Sequence, residues 1–195
     1  LASSLFFACL ANGTTIARVA IEKLVNDSEL IFEGEVIDVR SSMDQRGYIY
    51  TYVDFKVTDV IVGSNAGSDN LTLRFTGGSV GEVRLDVGSI IPVLGEKGIY
   101  FVEQITPGLV NPLLGWTQGH FTIAEDGSVI AGNAQKVQAI QKDVVGPQEI
   151  SQGVAKGVIT DSGAIKARTQ RSASEANAQP MSVEAFKQRI LEFKI

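Results

Sequence analysis

The sequence predicts a mainly β fold, a small antiparallel barrel or sandwich with a short N-terminal helix and a C-terminal amphipathic helix. Short runs of β-forming residues recur about every 10 to 15 residues between positions 30 and 131, separated by turn residues and without helical periodicity. A single apolar stripe at helical spacing then occupies the C-terminal segment. Together these two observations favour a β domain that carries a terminal helix.

The clearest strand runs over about 48–61. Ile49, Val53 and Phe55 alternate with Tyr50 and Tyr52, which predicts one apolar face and one tyrosine face. The same reading of β-forming runs and turn residues predicts the other elements in chain order: a helix at 20–26, strands at 30–40, 71–75, 82–87 and 98–105, and a hairpin of 116–125 and 128–131 around Asp126-Gly127.

The C-terminal segment is predicted to form a helix that begins after Ser182, a residue type that caps helices. Val183, Phe186, Ile190 and Phe193 recur at spacings of three and four residues and form one apolar stripe. A helix of about twelve residues is marginal alone in water. The stripe is therefore expected to dock on this chain or on a partner.

The chain divides into four predicted parts. The first eleven residues are apolar and uncharged and end in small residues, as in the h-region and cleavage zone of a secretory signal peptide. A secreted or periplasmic protein is predicted; alternatively, Cys9 becomes a lipidated first residue and anchors a membrane lipoprotein. The four parts are a signal remnant at 1–13, the β domain at 14–131, a flexible linker at 132–180 and the helix at 181–195. The linker is predicted to be flexible because its second half is low in apolar residues.

Composition excludes several classes of function. Among 195 residues there is one cysteine and one histidine, which cannot form an internal disulfide or complete a structural zinc site. The net charge is -5, which argues against nonspecific nucleic-acid binding. This charge is unevenly distributed, since 14–124 carries -6 and 125–195 carries +1. No metal, cofactor or nucleic-acid partner is predicted.

Three segments carry a family resemblance: 27–36, Tyr50–Val62 with the glycine that follows, and 93–101. Together they resemble the netrin/tissue-inhibitor-of-metalloprotease type of OB-fold barrel, as in uncharacterised exported bacterial proteins. The resemblance covers about 15–125 and implies an OB-like barrel. Inhibitors of that type use an N-terminal cysteine fixed by disulfides, and this chain has no cysteine pair. The resemblance leaves modulation of an exported protease by another route as an alternative function.

One motif suggests an enzyme. Gly77-Gly78-Ser79-Val80-Gly81 matches G-x-S-x-G, which in α/β-hydrolases places the serine on a turn from strand to helix. His120 comes later in the chain, as that triad order requires, so a serine hydrolase using Ser79 and His120 is an alternative function. The extended pattern after Gly81 favours a glycine-rich strand connection instead. His120, without partners in sequence, is predicted to face solvent or lie on an edge strand.

The most informative surface consists of Tyr48, Tyr50 and Tyr52 with Arg46 just before them. Tyrosines two residues apart share one strand face, and OB-type barrels bind ligands with such faces. The acidic balance favours a protein, peptide or glycan partner. The alternative is that the tyrosines serve cross-strand packing beneath a loop or the C-terminal helix. The leading prediction is an exported, non-enzymatic binding or interaction module of the cell envelope or extracellular space, whose ligand and oligomeric state the sequence leaves open.

Overall fold

The computed structural model describes residues 19–132, 136–137 and 180–194. The predicted signal remnant, Cys9 and most of the predicted linker lie outside these ranges. The fold class is confirmed as mainly β, with antiparallel strands, a short N-terminal helix and an amphipathic C-terminal helix. The elements are α1 (Ile21–Asp27), β1 (Leu30–Met43), β2 (Ile49–Val62), β3 (Asn70–Thr76), β4 (Gly78–Val80), β5 (Val83–Leu85), β6 (Lys97–Val102), a 3-10 helix (Trp116–Gly119), β7 (His120–Ile123), β8 (Val129–Ala131) and α2 (Val183–Phe193).

Six strands form one sheet in the order β3-β2-β1-β6-β7-β8, and β4 and β5 form a separate hairpin. All neighbouring strands are antiparallel. Within the described ranges the ladder does not close between β8 and β3, so the sheet is open there. The outer edge of β8 is covered, because Val137 N–H donates to the Val129 carbonyl and Val129 N–H donates to the Met181 carbonyl.

The central strands of the sheet are buried on both faces. Five of the six residues of β6 are buried, which accounts for its nearly continuous apolar sequence. One face forms a core of Leu30, Phe32, Val36, Val53, Phe55, Leu71, Leu73, Phe75, Tyr100, Val102 and Leu113. The other face packs against the two helices through Leu24, Val25, Ile31, Val62, Ile99, Phe101, Phe121, Val129, Val183, Phe186, Ile190 and Phe193.

The helix α2 packs on this chain's own core. Its N-terminus is capped, since Ala185 N–H donates to Ser182 Oγ at 3.3 Å. The four residues of its apolar stripe are all buried, and the Phe186 ring lies 4.9 Å from the Phe121 ring between centroids. Asn26 Nδ2 of α1 donates to the Phe193 carbonyl at 3.1 Å and so joins the two helices.

A charged contact lies beside this apolar interface. Lys187 Nζ lies 2.7 Å from both Glu33 Oε2 of β1 and Asp59 Oδ2 of β2. Burial by itself lowers the pKa of Lys187, but the hydrogen bonds to Asp59 and Glu33 outweigh it and raise that pKa above its usual value. The contact places α2 over the Glu33–Asp59 pair of the sheet.

Two paired glycines make room for aromatic rings in the core. Gly34 of β1 lies opposite Gly98 of β6. A Cβ on Gly98 would lie 2.6 Å from the Phe121 carbonyl oxygen and 2.9 Å from the Tyr100 ring, and one on Gly34 would lie 3.0 Å from the Phe32 ring. The space beside the glycines thus holds the Phe32 and Tyr100 rings, which stack with centroids 5.2 Å apart.

Several element boundaries differ from the prediction. The glycine-rich connection at 77–81 contains β4, which pairs with β5, so the strand predicted at 82–87 is one arm of a short hairpin. The strand predicted at 116–125 begins with a 3-10 helix, which follows Gly115 in a left-handed conformation (φ 63°). The predicted Asp126-Gly127 turn is present: Gly127 has φ 75°, and Ser128 N–H donates to Asp126 Oδ1 at 3.0 Å.

Candidate binding surface

The predicted tyrosine face lies on β2 beside two arginines of the neighbouring strands. Tyr52 lies opposite Arg40 of β1 and Arg74 of β3. Tyr50 and Tyr52 are half-buried, whereas the buried residues of this part of β2 point to the opposite face. We call Tyr48, Tyr50, Tyr52, Arg40 and Arg74 the tyrosine–arginine surface.

The charge of Arg40 is compensated within the chain. Its guanidinium lies 5.8 Å from the centre of the Tyr52 ring and forms ion pairs with Asp38 and Asp54. The hydrogen bond from Arg40, followed by that from Thr72, holds the pKa of Asp54 below its usual value. Arg40 therefore has acceptors of its own and serves to order this part of the sheet.

Arg74 is different, because its guanidinium has no carboxylate partner among the described residues. Its guanidinium lies over the Tyr50 ring, 4.5 Å from the ring centre, in a cation–π contact. No carboxylate pairs with Arg74 within the described ranges, and its Nε is buried there without a hydrogen-bond partner. Stacking on Tyr50 thus holds the planar guanidinium of Arg74 in place, and its amino groups can still donate to an anion.

Arg46 and Tyr48 lie at the tip of the β1–β2 hairpin. The backbone N–H groups of both residues donate to Asp44 Oδ1 at 2.9 Å, which fixes the turn. The Tyr48 side chain is 54% exposed, and Arg46 is also exposed. The tip therefore contributes the exposed Tyr48 ring to the tyrosine–arginine surface and places a third arginine, Arg46, beside it.

The interpretation in which the C-terminal helix covers the tyrosines is wrong. The apolar residues of α2 join the core cluster that contains Ile31 and Val62, which pair with each other near the far end of the β1–β2 ladder. Tyr50 lies near the opposite end of that ladder, where it pairs with Ser42. The helix and the tyrosine–arginine surface thus occupy separate regions of the sheet.

His120 is buried and lies on β7, which pairs with a strand on each side, so the prediction that it faces solvent or lies on an edge strand is wrong. The residue is 3% exposed, and its ring stacks on Tyr100 with centroids 5.4 Å apart. Phe121 belongs to the helix-facing cluster, and His120 lies on the other face of β7. Exposure was misjudged because the sheet is covered on both faces at this point.

Glu96 joins His120 and Tyr100 through one oxygen atom. Tyr100 Oη donates to Glu96 Oε1 at 2.9 Å, and His120 Nε2 lies 2.6 Å from the same oxygen. Burial, reinforced by the adjacent carboxylate, raises the pKa of Tyr100 far above its usual value. Glu96 also anchors β1, since Val36 N–H donates to the Glu96 carbonyl at 2.9 Å. This arrangement gives His120 Nε2 and the Tyr100 hydroxyl a hydrogen-bond partner within the core.

The structure does not place Ser79 in a nucleophile elbow. Ser79 is exposed in the middle of β4, and the chain continues into β5, whereas an elbow requires a helix after the serine. A cleft of about 240 Å³ beside Ser79 is lined by Arg84, Asp86 and Ser89 among others, and His120 is not part of that lining. The hydrogen bond of the His120 ring goes to Glu96.

Comparisons of the chain with protein-family models, curated proteins and solved structures found no match. The resemblance to netrin-type OB-fold barrels therefore stays a prediction. None of the helices in the described ranges is both long enough and apolar enough to span a bilayer. The same ranges hold no group of three or more His, Cys, Asp or Glu residues able to bind a metal ion.

Sequence reasoning identified the tyrosines but missed Arg74, Arg40 and Glu96. The alternation of Leu71, Leu73 and Phe75 already placed the intervening arginine on the polar face of its strand. Its stacking on Tyr50 required the pairing of β2 with β3 and the register of that pairing. No spacing in the sequence connects Glu96 with a histidine 24 residues later.

Proposed function

We propose that this chain is an exported, non-enzymatic binding module that uses the tyrosine–arginine surface to hold a ligand with an anionic group. The observation that carries the proposal is the contrast between two arginines on one surface. Arg40 is neutralised by Asp38 and Asp54, whereas Arg74 is stacked on Tyr50 without a carboxylate partner in the described part of the chain.

The chemistry of the surface supports an anionic ligand. A guanidinium presents donors in a planar fork that matches a carboxylate, and stacking on an aromatic ring holds that fork in one orientation. Tyr48 and Tyr52 provide rings with low conformational freedom next to it, which suits contact with a peptide or a sugar. The export part of the proposal rests on the apolar segment at 1–11, which lies outside the described residues.

The test is a binding measurement on the full chain with two panels of probes, glutamate-containing peptides and uronate oligosaccharides. We expect at least one panel to bind and Arg74→Gln to weaken that binding by about tenfold or more, as for loss of a charged hydrogen-bond partner. Arg84→Gln is the matched control, because Arg84 is exposed on the β4–β5 hairpin. It should bind like the unmodified chain.

Two results would contradict the proposal. One is that neither panel binds at millimolar concentration, and the other is that Arg74→Gln binds as tightly as Arg84→Gln. Thermal unfolding of each variant shows whether a loss of binding arises from loss of the fold, and a Tyr50→Leu variant that keeps its melting temperature provides a second test of the same contact.

A further inference from the structure

We infer that the ligand of the tyrosine–arginine surface is an extended peptide that pairs with the free edge of β3 at Thr72 and Arg74 and places an acidic side chain against Arg74. This inference rests on the proposed function and specifies its ligand class. It depends on the direction of the backbone groups of β3, on the closure of that edge at both ends and on the unpaired charge beside it.

The backbone of Thr72 and Arg74 points away from the sheet. In the β2–β3 ladder, Gly77 N–H donates inward to the Ile49 carbonyl, whereas Thr76 N–H donates outward to the Val110 carbonyl. Backbone direction alternates along a strand, so Thr72 and Arg74 share the outward direction of Thr76. β3 is the first strand of the sheet, and no further strand of the described residues lies beyond it.

Both ends of this edge are closed by the chain itself. At one end, Asn70 N–H donates to Ser68 Oγ, and the Asn70 carbonyl accepts from the same hydroxyl. At the other end, Thr76 N–H is bonded to Val110. Between them, the backbone groups of Thr72 and Arg74 have no partner in the described ranges. Two residues about 7 Å apart thus present two N–H donors and two carbonyl acceptors.

This opening fits a short extended peptide better than a sugar. A peptide added to a sheet edge binds through its main chain, and its alternate side chains face the surfaces of the sheet. On the outer surface such a side chain would meet Arg74, which lacks an anionic partner in the described chain. An aspartate or glutamate complements that charge. We therefore assign the opening to an acidic extended peptide.

The experiment is an NMR titration of the ¹⁵N-labelled full chain with a blocked pentapeptide of valine and threonine with glutamate at its centre. We expect the amide signals of Thr72 and Arg74 to shift most, and the glutamine counterpart of the peptide to bind several-fold more weakly. Thr72→Pro should weaken binding by at least about tenfold, because it removes an outward N–H and its ring blocks the approaching strand. Thr72→Val is the control for the lost hydroxyl, which donates to Asp54.

The outcomes separate this inference from the proposed function. If Arg74→Gln abolishes binding of the preferred probe while Thr72→Pro binds it normally, the surface holds its ligand without edge pairing, and the peptide inference is overturned alone. Binding of uronate oligosaccharides but not of the pentapeptide overturns it in the same way. If the chain forms a dimer that Thr72→Pro dissociates, the edge belongs to a second copy and the inference is also overturned. If neither probe binds, the proposed function fails as well.

Discussion

Substitution of Phe186 by alanine tests whether α2 is part of this chain's core. Phe186 is fully buried, and its ring packs against the Phe121 ring at 4.9 Å between centroids. Truncation of a buried phenylalanine costs about 3–5 kcal/mol, from lost apolar burial and the cavity left behind. Since domains are commonly stable by about 5–15 kcal/mol, Phe186→Ala should remove a large part of the free energy of unfolding.

The measurement is urea-induced unfolding at pH 7, followed by circular dichroism and by the fluorescence of Trp116, the single tryptophan. Leu191→Ala is the control, because Leu191 lies on the same helix but is 53% exposed. Leucine and alanine have similar helix propensity, so this change should alter the free energy of unfolding by about 0.5 kcal/mol or less.

Two results would refute docking on the chain's own core. One is that Phe186→Ala has the same free energy of unfolding as Leu191→Ala. The other is a loss of stability that disappears when the protein concentration is raised, since that would mean that α2 packs on a second copy. Deletion of 181–195 provides an independent measurement, and on the present packing it lowers the melting temperature.

Two further predictions concern the core around Tyr100. Tyr100→Phe should lower the free energy of unfolding by about 1 kcal/mol at pH 7, because Glu96 loses a hydrogen bond. The raised pKa keeps Tyr100 neutral in the folded chain, whereas the tyrosine of the unfolded chain ionises above about pH 10. The contribution of Tyr100 to the free energy of unfolding is therefore complete below about pH 10 and is lost as the pH rises further. Urea unfolding from pH 7 to 11 should thus show a steeper alkaline decline for the native chain than for Tyr100→Phe, and parallel curves would refute the assignment. Gly98→Ala should destabilise by about 1–3 kcal/mol, because its Cβ would lie 2.6 Å from the Phe121 carbonyl oxygen. Gly108→Ala, with open space around its Cβ, is the control, and equal melting temperatures for the two would contradict the prediction.

Local patterns predicted the features that depend on neighbours in sequence. The alternation from Ile49 to Phe55 placed the tyrosines on one face, and that face is the one observed. Ser182 caps α2 as expected, because a helix cap involves residues only a few positions apart. The Asp126-Gly127 turn followed from the same kind of short-range preference.

Features that depend on strand order were not predictable in the same way. The contact of Arg74 with Tyr50 arises because β3 pairs with β2 in a particular register, and a shift by one residue would turn Arg74 to the other face. His120 meets Glu96 because β7 pairs with β6. The sequence contained these residues, but their proximity is a property of the tertiary fold.

The two edges of the sheet also bear on aggregation. An uncovered sheet edge can pair with another chain and start aggregation. Here β8 is covered by the segments that contain Val137 and Met181, and β3 is closed at Asn70 and Thr76. An opening of two residues is too short to template a growing intermolecular sheet. The caps at Asn70 and Thr76 thus act against fibril growth, and their removal would lengthen the exposed edge and promote aggregation.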